Sequence, residues 1–164
     1  MEPFKLVSPT FHEGHRIPRK YTGEGQGALR DISPPLEWYG VPRGAASLAL
    51  VVEDIDAPSP ERPIVPWTHW VVVNIPPEAK GLPEGFSARA EHGGRDHAGI
   101  LEGLNDWKQP GWRGPKAPTS GHRYRFRLFA LPNLVYLGHK VTKDKLLDAI
   151  AGHALAEAEL VGVF

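Results

Sequence analysis

The chain has 164 residues, 41% of them hydrophobic, with 19 Lys and Arg against 19 Asp and Glu and no Cys. A chain of this length buries roughly 70% of its unfolded-chain surface, so one domain over residues 1–164 is expected, with a core that needs neither metal nor disulfide. The missing Cys excludes thiol nucleophiles and thiolate zinc sites, and zero net charge argues against a protein that coats nucleic acid, which needs a basic face.

The first residues, MEPFKLVSPT, carry two prolines and no apolar block, which points to a cytoplasmic location. His12-Glu13-Gly14-His15 lacks the spacing of a helical zinc motif and reads as a solvated loop. Gly23-Glu24-Gly25-Gln26-Gly27 resembles a phosphate loop only in its glycine count, because no strand feeds it and no Gly-Lys-Ser/Thr follows. Ser47 to Glu53 (SLALVVE) and Thr68 to Ile75 (THWVVVNI) are β-branched runs bounded by turn residues, as expected of strands buried on both faces and lying side by side. The longest apolar run, Leu48 to Val52, is far short of the roughly 18 residues a spanning helix needs.

Between those strands, Asp56 to Trp67 holds four prolines and reads as a stiff loop. A longer connection, His92 to Gly121, contains seven Gly and three Pro, and a stretch of that length inside a compact domain is usually functional. His122 to Leu131 alternates, placing Tyr124, Phe126, Leu128 and Ala130 on a core face and Arg123, Arg125 and Arg127 on a wetter one. Thr142 can cap a helix with Asp144 in its first turn. Leu146, Leu147, Ile150, Ala151, Ala154, Leu155 and Ala158 continue at helical spacing, interrupted at Gly152, before a final short strand in ELVGVF.

Chemistry concentrates where these strands begin and end. Asp54 and Asp56 close the first buried strand; taken alone, two such carboxylates read as turn caps. His69 opens the second and His122 the third, and a lone histidine there reads as a half-buried, satisfied imidazole. If the strands are neighbours, all four side chains meet at one mouth roofed by the two long loops. Imidazoles beside carboxylates favour the protonated ring, which donates two hydrogen bonds to a phosphate or carboxylate guest. Gly114 allows close backbone approach, whereas Pro115 has no N–H and only shapes a wall.

These pieces, taken in order, resemble the phosphatidylethanolamine-binding proteins, also called Raf kinase inhibitor proteins, and in particular their bacterial and archaeal branch. The resemblance runs through IPRKYTGEG, SPPLEWYGVP, SLALVVEDIDAP, HWVVVNIP, GLNDW, GWRGP, GHRYRFRLFAL and the final LLDAIAGHALAEAELVGVF. Asp54-Ile55-Asp56-Ala57-Pro58 with His69 is similar to the family's first signature, with Ile55 where a proline is usual. Gly114-Pro115-Lys116-Ala117-Pro118 with His122-Arg123-Tyr124 is similar to the second, with Ala117 in place of a proline.

What the resemblance implies is a mainly β domain with minor α content, built of packed antiparallel sheets with a helix near the C-terminus. It further implies an anion pocket lined by Asp54, His69 and His122, with Asp56, Pro58, Trp67, Gly114, Pro115 and Tyr124 as its walls. The implied ligands are phosphate head groups or phosphorylated residues, the implied partners kinases or serine proteases, and a homodimer is expected from the prokaryotic branch. The first functional reading is therefore a non-enzymatic anion-binding regulator, with no cofactor and no metal. The second is a hydrolase or metal-dependent enzyme using Asp54, His69 and His122. Ser120 beside His122 admits a hydrolytic triad, but there is no G-x-S-x-G elbow and no cofactor fingerprint, so the sequence favours binding.

Overall fold

A computed structural model describes residues 2–23, 32–58, 66–88, 99–115 and 121–164. Its elements, in chain order, are β1 (Lys5–Val7), β2 (Leu36–Tyr39), β3 (Ser47–Asp54), β4 (Trp67–Ile75), β5 (Gly81–Leu82), β6 (Leu101–Glu102), β7 (Arg123–Leu131), α1 (Lys143–Ile150) and β8 (Ala156–Val163). The strands form two antiparallel sheets, ordered β1-β2-β5 and β6-β4-β3-β7-β8. The fold is thus mostly β with one α-helix among the described residues, as expected. No helix among those residues is long and apolar enough to cross a membrane.

All eight residues of β3 are buried because the strand is covered on both sides. Leu48, Leu50 and Val52 face the small sheet and pack with Leu6, Leu36 and Trp38, while Ala49 and Val51 face α1 and pack with Leu146 and Ile150. Alternation along β7 follows the sequence reading, with Tyr124, Phe126, Leu128 and Ala130 in the core between the sheets. The arginines of the opposite face are each paired with an acid: Arg123 with Asp56, Arg125 with Glu53 and Arg127 with Glu157.

The C-terminal region departs from the helical reading. Thr142 caps α1 as expected, its Oγ accepting from the Lys145 N–H at 3.3 Å, but the helix stops at Ile150. Gly152 then takes φ +77°, a left-handed turn that suits glycine, and Ala156–Val163 enters the sheet beside β7. Ala158 satisfies both a helical and a two-residue period. Pairing decides between them, because β8 fills the edge of β7 from Ala130↔Ala156 to Arg123↔Val163 and buries Ala158 and Leu160 in the core.

At the end of β3 a buried carboxylate ties the layers together. Glu53, 1% exposed, accepts from Arg125 Nη2 at 2.5 Å and Nε at 3.0 Å and from Lys143 Nζ at 3.1 Å, joining β3, β7 and α1. Burial pushes its pKa up, but the Arg125 hydrogen bonds and the Lys143 charge outweigh burial and hold it below the usual glutamate range. A depressed folded-state pKa stabilises the fold above the unfolded value of about 4.3 and ceases to do so as pH falls through the folded value. Breaking a fully buried pair costs about 3–5 kcal/mol. Because the Arg125 side chain is 31% exposed, Glu53→Gln is expected to cost only about 2–3 kcal/mol at pH 7. Urea unfolding of both proteins checks this: the gap should close below about pH 4, and a gap constant down to about pH 3 would refute the linkage.

Candidate functional site

Asp54 is the last residue of β3, paired in register with Tyr124 on one side and Trp67 on the other. It lies on the face that carries Leu50 and Val52, so its carboxylate emerges at the end of the inter-sheet core. There His122 Nδ1 donates to Asp54 Oδ2 at 2.6 Å, with both side chains buried. The His122 main chain is held by reciprocal hydrogen bonds with Phe164, of 3.1 and 3.0 Å. The second Asp54 oxygen accepts the Asp56 N–H at 2.9 Å, so the carboxylate also caps the turn after the strand.

His69 reaches the same place through a β-bulge. Val52 pairs with Trp70 but Glu53 pairs with Thr68, which leaves His69 as the extra residue. Strict alternation from Trp70 would send its ring to the α1 side; the bulge turns it toward the site instead. Its Nδ1–H donates to the Arg113 carbonyl at 2.5 Å, and Arg113 N–H returns a bond to the His69 carbonyl at 3.1 Å. The His69 ring meets Tyr124 at 5.2 Å and Trp107 at 4.9 Å, both edge-on. Tyr124 is 1% exposed, and its hydroxyl has no hydrogen-bond partner among the described residues. Burial first, then the Asp54 charge and the close approach of its carboxylate to the hydroxyl, short of hydrogen-bond geometry, push that hydroxyl well above the usual tyrosine range.

The loop that brings Trp107 onto His69 is organised by Asn105. Its side-chain oxygen accepts from the N–H groups of Trp107 at 3.0 Å and Gln109 at 3.3 Å, and its amide donates to the Gly111 carbonyl at 3.0 Å. Asp106 fastens the same loop to the bulge by accepting the Thr68 N–H at 2.6 Å. Further on, Gly114 passes so close to the backbone of residues 21 and 22 that a Cβ would collide with the Tyr21 carbonyl and lie 2.9 Å from Thr22 Cα. Pro115 is buried, and its carbonyl accepts the Gly23 N–H at 3.3 Å.

Asp54, His69, His122 and Tyr124 are therefore brought together. Asp56 is adjacent but turned aside: its carboxylate accepts three hydrogen bonds of 2.8–2.9 Å from Arg123, two from the guanidinium and one from the backbone N–H. The Arg123 hydrogen bonds outweigh burial and hold the Asp56 pKa below the usual range. Trp67 is 40% exposed and meets Trp107 edge-on at 5.7 Å, and Pro58 is exposed after a cis Ala57–Pro58 peptide. Asn105, Trp107 and Arg113 were not singled out as site residues from the sequence; the Asn-Asp-Trp run carries the turn chemistry that could have drawn attention to them.

His12-Glu13-Gly14-His15 forms an exposed turn, as read from the sequence. Among the described residues no three His, Asp or Glu side chains converge as a metal site would require. Glu24 to Gly27, the middle of the proline-rich loop, Lys116 to Pro118 and Ser120 lie outside the described residues.

Residues 7–164 match the family model described as phosphatidylethanolamine-binding protein. A UPF0098 protein of Methanothermobacter thermautotrophicus is 43% identical over 159 residues, 97% of each chain. A UPF0098 protein of Chlamydia trachomatis is 39% identical over 160 residues, 98% of this chain and 97% of that one. Among solved structures, Escherichia coli YbcL, described as a member of the mammalian PEBP family, superposes with a TM-score of 0.82 at 29% identity, covering 98% of this chain and 97% of that one. A homologue from Chlamydia trachomatis gives a TM-score of 0.82 at 39% identity, covering 98% and 96%.

The Gly114 contact generates a stability prediction. Gly114→Ala forces the added methyl into backbone rather than into a flexible side chain, so the loop must shift, at an expected cost of about 1–3 kcal/mol. Thermal melting measures the cost, and amide exchange at residues 21–23 should accelerate with it; an unchanged midpoint would show that the two backbone segments separate freely.

Proposed function

The chain belongs to the phosphatidylethanolamine-binding protein family, and on that footing we propose that it binds a small anion, a phosphate or phosphorylated group, at the Asp54–His69–His122–Tyr124 cluster. The observation that carries this reading is the buried Tyr124 hydroxyl without a partner, set beside the hydrogen-bonded Asp54–His122 pair. Buried polar atoms are nearly always satisfied, and an orphaned one costs about 1–3 kcal/mol. The only other such side-chain atom among the described residues, Thr68 Oγ1, belongs to the neighbouring bulge. A bound oxyanion would accept the Tyr124 proton, while the Asp54 carboxylate keeps the His122 ring oriented beside it.

Binding rather than turnover is the favoured activity. In this reading the bound group is presented by, or competes with, a cytoplasmic kinase or serine protease, and the protein acts as a homodimer; these finer points are carried by the family resemblance alone.

Tyr124→Phe separates function from stability. Removing an unsatisfied hydroxyl should leave folding unchanged or improve it by up to about 1 kcal/mol, while phosphate affinity falls about tenfold. Calorimetric titration of phosphate into wild type, Tyr124→Phe and a His69→Ala, His122→Ala double variant checks this. A folded wild type that takes up no phosphate would defeat the anion reading.

A further inference from the structure

The arginines of β7, and Lys143 of α1, are already committed. Arg123 is bonded to Asp56, Arg125 and Lys143 to Glu53, and Arg127 to Glu157. Arg113 differs from all of these, because among the described residues no carboxylate lies within ion-pair distance of it. Its guanidinium carbon instead sits 4.8 Å from the centre of the Trp107 ring, and that ring packs on His69. Two main-chain links to His69 hold the residue at the rim of the cluster, and its side chain is only partly buried. A stacked guanidinium keeps its charge and its planar fork of donors, and stacking leaves the edge of that fork available to a guest.

The charge balance of the site shows what such a cation is for. Asp54 places one carboxylate beside the imidazoles, so even a singly charged guest approaches a standing negative charge, with the Tyr124 phenol as its donor. A phosphate monoester carries about −1.5 to −2 at neutral pH, and bringing it next to Asp54 calls for a further positive charge. We infer that Arg113 is the charge that captures the ligand and makes the site select phosphate monoesters over singly charged diesters and carboxylates. The inference rests on the anion-binding reading above and narrows it. The head group of phosphatidylethanolamine in a membrane is a diester, whereas a phosphorylated side chain or free phosphoethanolamine is a monoester, so the selected source is the latter.

The test titrates phosphoethanolamine, glycerophosphoethanolamine and acetate into wild type, Arg113→Gln, Arg113→Lys and His122→Ala at neutral pH, with circular dichroism confirming the fold. Wild type should bind the monoester at least about tenfold more tightly than the diester. Arg113→Gln should weaken the monoester by about tenfold to a hundredfold and leave the diester within about threefold, with Arg113→Lys intermediate. If Arg113→Gln fails to fold, the wild type still decides, because rising ionic strength must weaken the monoester more than the diester. Equal monoester and diester affinity in wild type, or an Arg113→Gln variant that binds as wild type does while His122→Ala has lost binding, overturns the Arg113 inference and leaves the anion site standing. No binding of any of the three by folded wild type overturns both.

Discussion

The end of β3 sets the terms for everything around it. The strand is covered on both faces, so its last two residues, Glu53 and Asp54, carry carboxylates into opposite layers of a low-dielectric interior. An unpaired buried charge is not tolerated, and each had to find a partner. Glu53 meets permanent cations from β7 and α1, which makes it a clamp between layers. Asp54 meets the His122 imidazole at 2.6 Å, beside a phenol that no described residue hydrogen-bonds. One sequence step therefore separates a pair that clamps the layers from one that faces the candidate site.

Much of this was legible before any coordinates. β3, β4 and β7 could be read because a continuous apolar run and a clean two-residue alternation are local signals. That β3 and β4 lie side by side was expected; that β7 joins them was the condition for the histidines and aspartates to meet, and the order β4-β3-β7 fulfils it. The short strands β1, β2, β5 and β6 were not legible: two to four residues carry no measurable period. The first three exist because the small sheet covers the face of β3 that bears Leu48, Leu50 and Val52, and β6 because it pairs along the edge of β4. The overlong helix had a different cause. Ala158 fits a helical face as well as a strand, and only the open edge of β7 resolves the ambiguity.

The site shows the same division between local and long-range causes. Asp54 and His122 are placed by strand register alone, which is why strand ends pointed to them. His69 is placed by a bulge, an irregularity that depends on how β4 accommodates β3 and that the residue pattern does not announce. Asp56 follows Asp54 by two residues, the spacing of one strand face, yet it lies past the strand, where the turn rather than the pleat aims its side chain, and Arg123 claims it.

Those pairings also govern where selectivity can reside. A stripe of arginines along β7 looks like a binding surface, but the acids of β3, β8 and the following turn neutralise it residue by residue. The sheet thus supplies rigidity and hydrogen-bond donors to the cluster without supplying net positive charge. Any charge that discriminates between anions has to come from the connecting loops, and residues 103–115, the described part of the one between β6 and β7, are fixed firmly enough to do so. Asn105 and Asp106 pin its course, Trp107 rests on His69, and Gly114 threads past the backbone of residues 21 and 22 where no side chain fits. A loop anchored at four places holds a guanidinium with little ordering left to be done when a ligand arrives, which is the condition under which a single cation can set specificity.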